Sequence, residues 1–391
     1  MLVPFCFIQS LNSFMKIGID ISQLAYPGTG VATYTQNLVE NLLKTDKENE
    51  YLLFFSSLRK KTQISNLKIQ NYNSKLKTYS FPPIFLELLW NKLHRLPMEM
   101  FMGKLDVLHT SDWLEPPSQA VKVTTVHDLA VYKYPESFAV RGGHDIVTNQ
   151  KRKLAWAKKE SKLIIADSLA TKKDLIEILG ISEEKIRVIY LAAEKTYGER
   201  EIREIREIRK KYELGRLYVL MMGAGEPRKN LARGIRAFRE IGAIWSELEL
   251  VIVGKYGWGE EDNLKFKIKN LKLLGYVPRE DLPALYAGAE VFVYPSLYEG
   301  FGLPILEAMS CGCPVVTSNV SSLPEIAGEA GVLVDPLKIE DIAEGIRIAM
   351  NSRMELREKG LEQVKKFSWE KTTRETLAVY QEAYAHRFNR L

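Results

Sequence analysis

The chain has 391 residues, with 55 Lys and Arg against 49 Asp and Glu, a formal charge of +6, 46% hydrophobic and 27% charged residues. This is soluble globular composition with material for two cores, so two domains are expected. No apolar run reaches the ~18 residues of a membrane span, and the three cysteines (Cys6, Cys311, Cys313) give neither a disulfide framework nor a zinc spacing, as suits small buried thiols in a reducing cytosol.

The opening "MLVPFCFIQSLNSF" is apolar but lacks a basic leading region and a small-residue cleavage site. Residues 1–14 therefore read as an extension ahead of a native start at Met15, or as a poorly ordered segment; a short membrane-active tail is the other reading. From Met15 on, strand-like runs alternate with helix-like ones, as in parallel sheets covered by helices on both faces. Over 15–195 the strands are "KIGIDI", "YLLFF", "DVLHT", "KVTTV", "KLIIAD" and "IRVIYL", with helices over 31–44 and 172–179 among those that follow them. Residues 51–104 carry nine basic and two acidic side chains, the whole excess of the chain. They include "FPPIFLELLWNKLHRLP", whose Ile84, Leu86, Leu89, Trp90 and Leu93 repeat at helical spacing. The patch reads as a solvated surface over a packed helix, or as a face for anionic lipid.

Residues 196–215 predict a connecting helix with isoleucine every third or fourth position and too few heptads for a coiled coil. The alternation then restarts over 216–368 with "LYVLMMG", "LELVIVG", "LKLLGYV", "EVFVYPS", "PVVTS" and "GVLVD", and residues 369–391 form one more amphipathic helix. The expected architecture is α/β, two Rossmann-like doubly wound domains facing a cleft. Ligands in such sheets sit at the carboxyl ends of strands.

Those ends carry the candidate chemistry. After the first strand Gly28 and Gly30 bracket Thr29 ahead of a helix, which serves a close ligand approach or a tight turn. His127 and Asp128 follow "KVTTV", where a histidine can meet a ligand. Arg228 and Lys229 stand where "LYVLMMG" turns into a helix, a good phosphate site without P-loop spacing. In "YPSLYEGFGLPILEAMSCGCPVV", Glu299 precedes a helix predicted over 303–311, opened by Pro304 and ended by Gly312. Gly300 and Gly302 bend the chain so that Glu299 and Glu307 can border one pocket, with the amides of Gly302 and Leu303 facing an anion. Glu307 fits a structural cap or, as preferred here, a holder of a ribose diol. The loop "SNVSSLPEIAGEAG" is expected to close the same pocket.

Taken in order, "EGFGLPILE", the glycine loop at 28–30, "VHDLAVYKYPE", "ADSLATKKDL", "EPRKNLARGIRAF" and "FSWEKTTRETL" make the chain resemble the retaining glycosyltransferases of family 4 over nearly its whole length. Residues 1–14 fall outside the likeness and 60–104 match loosely. The resemblance implies a GT-B fold whose last helix crosses back onto the first domain, an acceptor on the N-terminal domain and a nucleotide-diphosphate sugar on the C-terminal one. It implies that Arg228 and Lys229 neutralise the diphosphate, Glu299 lies by the transferred sugar, Glu307 holds the ribose, and His127 reaches the sugar across the cleft. Phe301, Gly302, Leu303, Gly30 and Val277 fall with the donor; Gly28, Thr29 and Asp128 fall with the acceptor side. Breaking the anomeric C–O bond leaves negative charge on the diphosphate, which cations and helix amides stabilise.

No Asp-x-Asp pair occurs in the sequence, so transfer without a metal or other cofactor is expected, with retention by resemblance. The donor expected first is GDP-mannose, with glucosyl and N-acetylglucosaminyl transfer open. The acceptor is a glycan or lipid-linked acceptor in surface polysaccharide synthesis. The enzyme is expected in the cytoplasm, with peripheral contact at the inner membrane face through 51–104 and no nucleic acid partner. The rival readings are a nucleotide-sugar epimerase or hydrolase on the same scaffold and a non-catalytic sugar-nucleotide-binding protein. A nicotinamide dehydrogenase fails for want of its glycine-rich loop and acid.

Overall fold

A computed structural model of the chain describes residues 14–58, 73–138, 145–223, 226–242, 245–254 and 270–386. The extension at 1–13 and Cys6 lie outside the described residues, as does the 59–72 part of the basic segment. Two sheets organise the rest. The first contains β1 (Lys16–Asp20), β2 (Glu50–Ser56), β3 (Ser74–Tyr79), β4 (Val107–Ser111), β5 (Val121–Val126), β6 (Leu163–Ala166) and β7 (Ile186–Val188), in the order β3-β2-β1-β4-β5-β6-β7. The second contains β8 (Leu217–Met222), β9 (Leu248–Val253), β10 (Leu271–Gly275), β11 (Val291–Tyr294), β12 (Val315–Ser318) and β13 (Gly331–Val334), in the order β10-β9-β8-β11-β12-β13.

Every pairing is parallel. Helices cover both faces of a doubly wound sheet, which is why its central strands read as unbroken apolar runs. In both sheets the order reverses at the first strand, between β1 and β4 and between β8 and β11. Successive connections leave these points in opposite directions and open a crevice at the carboxyl ends.

Local chemistry sets the helix ends that border this crevice. Thr29 caps the helix Gly30–Thr45, its side chain accepting from the Ala32 amide at 3.2 Å. Ser168 caps Leu169–Leu179, and Gly180 ends it in the left-handed region. The last helix, Trp369–Ala385, packs against Gly30–Thr45 and β5 of the first sheet. Its Tyr380 hydroxyl lies 2.6 Å from His109 Nδ1, and Thr372 donates to the Tyr190 carbonyl at 2.6 Å. The tail therefore crosses back to the first domain. The connecting helix is Ile202–Lys211; it buries Ile208 and lies against the helix Leu282–Gly288.

Two elements differ from expectation. One strand, β3, has no counterpart among the expected ones; it is an edge strand with an exposed polar face, Ser-Lys-Leu-Lys-Thr-Tyr, held by backbone pairing to β2. Apolar periodicity does not mark such a strand, and its lysines suit an unpaired edge. The expected amphipathic helix after it is one turn, Pro83–Leu86, running into a π-helical stretch, Glu87–Lys92. Leu86, Leu89 and Trp90 are buried, whereas Ile84 and Leu93 are 64% and 53% exposed. The widened i→i+5 bond from the Leu93 amide to the Leu88 carbonyl (2.9 Å) turns Leu93 off the packed face.

Candidate active site

The crevice is a cleft of about 630 Å³ between the two sheets' carboxyl ends. Its lining gathers Gly28, Thr29, Gly30, His127, Asp128, Arg228, Lys229, Glu299, Phe301, Gly302 and Leu303. They arrive from loops far apart in sequence, which end together because parallel strands all point the same way.

On the C-terminal side, β8 runs into the short turn Pro227–Lys229, closed by Asn230 in the left-handed conformation. The Asn230 amide group donates to the Pro295 and Pro336 carbonyls at 2.9 and 2.7 Å, tying the turn to the loops after β11 and β13. Lys229 Nζ donates to Glu299 Oε1 and to the Tyr294 hydroxyl, both at 2.7 Å. Arg228 donates to Glu299 Oε2 at 3.2 Å and to the Tyr298 carbonyl at 3.1 Å. Burial opposes a charge on Glu299, but Lys229 and Arg228 outweigh it and hold the carboxyl at about 2. Glu299 is thus a fixed anion between two cations, poorly suited to deliver a proton near neutrality.

The loop that carries Glu299 is braced from behind. Ser321 and Ser322 donate to the Glu299 carbonyl at 2.6 and 3.0 Å, and Ser322 donates also to the Phe301 carbonyl at 2.8 Å. The small-residue loop before Leu323 therefore supports the bend; its residues are not among those lining the cleft. Gly302 sits at φ +106° directly before the helix Leu303–Ser310, a conformation open to glycine and hostile to side chains.

Glu307 departs from the expectation that both acids border one pocket. It is the fifth residue of that helix, and its face turns toward Tyr286, whose hydroxyl donates to Oε2 at 3.2 Å, with Tyr197 and Arg279 nearby. It is absent from the cleft lining. Burial pushes its carboxyl up to about 7, against the pull of Arg279. Val277 is likewise off the lining; its side chain is buried in the core beyond β10.

On the N-terminal side, His127 ends β5, and its Nδ1 lies 2.6 Å from Asp167 Oδ2 at the end of β6. Burial pushes the imidazole down, and Asp167 more than offsets this, leaving its pKa raised. Its Nε2 is buried without a hydrogen-bond partner on a cleft-lining residue. The ring of Tyr34 packs edge-on at 4.7 Å and fixes the other side. Asp128 turns its carboxylate back to the Ala130 amide at 2.8 Å.

The sequence reading missed Asp167, Asp112, Lys153, Tyr294 and Tyr298. Asp112 and Asp167 stand just past β4 and β6, where the rule that named His127 also applies. Tyr294 ends β11, where the same rule applies; Tyr298 meets Leu129 and Asp174 of the first domain and does not line the cleft, and Lys153 carries no local signal, because only the packing of distant elements brings it to the cleft.

Paired doubly wound domains, a charged crevice at both switch points and a returning last helix are the build of the GT-B glycosyltransferases, and solved structures bear this out. Sucrose-phosphate synthase from Thermosynechococcus elongatus superposes with a TM-score of 0.69 at 20% identity, over 95% of this chain and 100% of that one. Anabaena HepE in complex with UDP and glucose superposes with a TM-score of 0.67 at 17% identity, over 94% and 100%. More specifically, the chain belongs to glycosyltransferase family 4. The family models "Glycosyltransferase Family 4" and "Glycosyl transferases group 1" match residues 28–194 and 203–367. In addition, O-antigen chain mannosyltransferase B of Escherichia coli is 34% identical over 94% of this chain and 99% of its own length. The protein is a glycosyltransferase.

Proposed function

We propose that the enzyme transfers a mannosyl group from GDP-mannose, with retention and without a metal, to a glycan or lipid-linked acceptor in O-antigen-type surface polysaccharide synthesis. The observation that carries the site assignment is the Arg228–Glu299–Lys229 cluster at the second sheet's switch point. Full-length likeness to an O-antigen mannosyltransferase supports the sugar and the pathway class. In this reading the acceptor hydroxyl oxygen bonds to the anomeric carbon, the bond to the diphosphate breaks with its electron pair, and the hydroxyl proton leaves with the nucleoside diphosphate or solvent. Arg228 and Lys229 take up the charge that appears on the diphosphate as the bond breaks. Glu299, already ionised and doubly held, orients the two cations and accepts from sugar hydroxyls. His127 presents its free Nε2 to the sugar from the opposite wall. Glu307 serves the nucleoside end, away from the reacting carbon.

The test is a panel of GDP-mannose, UDP-glucose and UDP-N-acetylglucosamine with a surface-glycan acceptor, with and without a chelator, and with product anomers read by NMR. Release or isomerisation of sugar with no acceptor dependence favours a hydrolase or epimerase. Binding without turnover favours a non-catalytic protein. An inverted product, or activity abolished by the chelator, overturns those parts of the reading.

The cytoplasmic, peripheral placement belongs to the same proposal. No helix among the described residues is long and apolar enough to cross a membrane. In the described part of 51–104, Ile84, Phe85, Leu88 and Leu93 are exposed along the turn Pro83–Leu86 and the π-helical stretch that ends in Lys92, with Arg95 in the loop that follows, which suits an anionic surface. Co-sedimentation with phosphatidylglycerol vesicles tests it; a soluble fraction unchanged by vesicles removes it.

A further inference from the structure

The last helix reaches the wall of the cleft through a relay of buried hydroxyls and one imidazole. Tyr380 of that helix, His109 of β4, Thr125 of β5 and Tyr34 of the helix Gly30–Thr45 are its members, and none is more than 3% exposed. The Tyr380 hydroxyl lies 2.6 Å from His109 Nδ1. His109 Nε2 lies 2.8 Å from the Thr125 hydroxyl, which in turn lies 2.9 Å from that of Tyr34. The ring of Tyr34 then meets His127 edge-on, with 4.7 Å between centroids and 75° between planes. Register explains how these groups meet. Ile19 pairs with His109, Val123 with His109 from the other side, and Thr125 with Ser111, so His109 and Thr125 leave the same face of the sheet. Their neighbours there, Ile17, Ile19, Val107 and Val123, belong to the apolar core.

A polar relay in an apolar layer has to be complete, because each lost partner leaves a buried group unpaired. Burial, with His127 and Lys153 nearby, pushes His109 down to about 3, so its ring is neutral. A neutral imidazole donates from one nitrogen and accepts at the other. In one direction Tyr380 donates to Nδ1, Nε2–H to Thr125 and Thr125 to Tyr34. In the other, Tyr34 donates to Thr125, Thr125 to Nε2 and Nδ1–H to Tyr380. Both directions use every hydroxyl, so the four groups hold one another in place. Trp369, at the start of the last helix, adds its ring 6.4 Å from that of Tyr34. Tyr34 is therefore held from two points of the last helix, and His127 is held between Tyr34 and Asp167.

We propose that Tyr34 is a positioning residue for His127, and that the last helix, through Tyr380, His109 and Thr125, sets the place of Tyr34 and with it the aim of His127 Nε2 into the cleft. The use of that nitrogen on a sugar rests on the function proposed above; the positioning is tested without donor or acceptor. The test uses the whole protein with isotope-labelled histidine. The chain has five histidines, so each ring C–H signal can be followed by NMR, that of His127 being identified by its loss in His127→Gln. Tyr34→Phe and Tyr380→Phe keep both rings and remove one hydroxyl each. Each should shift the His127 signal, because the ring current of Tyr34 falls on the His127 ring. Val379→Ala opens space beside Tyr380 in the same helix but leaves the relay whole, and should leave that signal in place.

Turnover of Tyr34→Phe and Tyr380→Phe on the best donor of the panel should fall about tenfold, short of the ~100-fold that an ångström of misplacement costs. The KM for the donor should stay within about a factor of two, because donor binding itself is untouched. A histidine that merely satisfies the core predicts otherwise: Tyr380→Phe would then move the His109 signal alone. That result, an equal His127 shift in Val379→Ala, or wild-type turnover in both folded hydroxyl variants overturns the inference. A panel on which no donor turns over counts against the proposed function, and the NMR comparison still decides the positioning.

Discussion

The Ser168 hydroxyl donates to the Gly300 carbonyl at 2.6 Å, joining the cap of a first-domain helix to the bend that carries Glu299 in the second. Thr171 adds a bond to the same carbonyl at 3.2 Å and one to the His127 carbonyl at 3.1 Å. The walls of the cleft are therefore in register through backbone atoms. A Cβ on Gly300 would overlap the His127 carbonyl oxygen and stand 2.8 Å from Asp128 Cβ. Gly300→Ala should keep both domains folded but push the cleft open. Turnover should fall about 100-fold, as for a reacting group misplaced by an ångström, with nucleotide affinity changed far less. Wild-type turnover in Gly300→Ala would show that this closed contact is not the working one.

Glu299 lies between Arg228 and Lys229, and the direction of its titration fixes a pH signature. Its folded pKa, about 2, is below the ordinary glutamate value of 4.5. The stability it contributes is therefore present above pH ~4.5 and is lost as pH falls toward 2. Glu299→Gln removes that contribution, leaving Lys229 without its carboxylate and Arg228 with Glu226 alone at 2.8 Å. A loss of about 3–5 kcal/mol, the usual cost of breaking a buried pair, is expected at pH 7, shrinking in acid. Denaturant melts at pH 7 and pH 3 check it; an equal loss at both contradicts the assignment.

Glu307 has the opposite sign. Its folded pKa, about 7, is above the ordinary glutamate value of 4.5, so between these values the folded chain keeps a proton that the unfolded chain gives up. Its contribution to stability declines as pH rises from ~4.5 to 7. The melting temperature of Glu307→Gln relative to wild type should therefore climb from pH 5 to pH 8. If the ionised carboxylate holds the ribose, nucleotide binding should also tighten over pH 6–8 with proton release, seen as a buffer-dependent heat in calorimetry. A difference in melting temperature that is flat with pH would refute the shift.

Lys229→Ala removes the cation that meets Glu299 and Tyr294. By analogy with a lost oxyanion donor, turnover should drop about 10²–10³-fold. Steady-state kinetics on the best donor of the panel reads this directly, and an effect confined to KM would make Lys229 a binding residue only.

Tyr298 receives the Leu129 amide at 3.0 Å and donates to Asp174 at 2.8 Å, both in the first domain. Tyr298→Phe strands a buried amide and should cost about 1–3 kcal/mol. Because the lost bonds join the domains, limited proteolysis near the connecting segment should quicken while each sheet's own hydrogen-exchange protection holds. Uniform loss of protection would place the effect inside one domain instead.

Much of this protein is written locally. Apolar runs alternating with helical periods determined two doubly wound sheets, because a strand covered on both faces has to be apolar along its length. Pro304, Gly302 and Gly312 marked the helix behind Glu299 through backbone preferences that need no neighbours. The strand-end rule placed His127, Arg228, Lys229 and Glu299, and their motif order showed the family likeness. What escaped was set by contacts across the chain. β3 has no buried face to leave an apolar period. The π-helical turn at Glu87–Lys92 changes which leucines face inward without changing the sequence pattern. The separation of Glu307 from Glu299 depends on which way the fifth residue of a helix points, and the spacing of two glutamates does not say this. The pairing of His127 with Asp167 and the burial of Lys153 beside Asp112 likewise arose only when distant strand ends met, because charge and burial at a cleft belong to the packed walls rather than to any one segment.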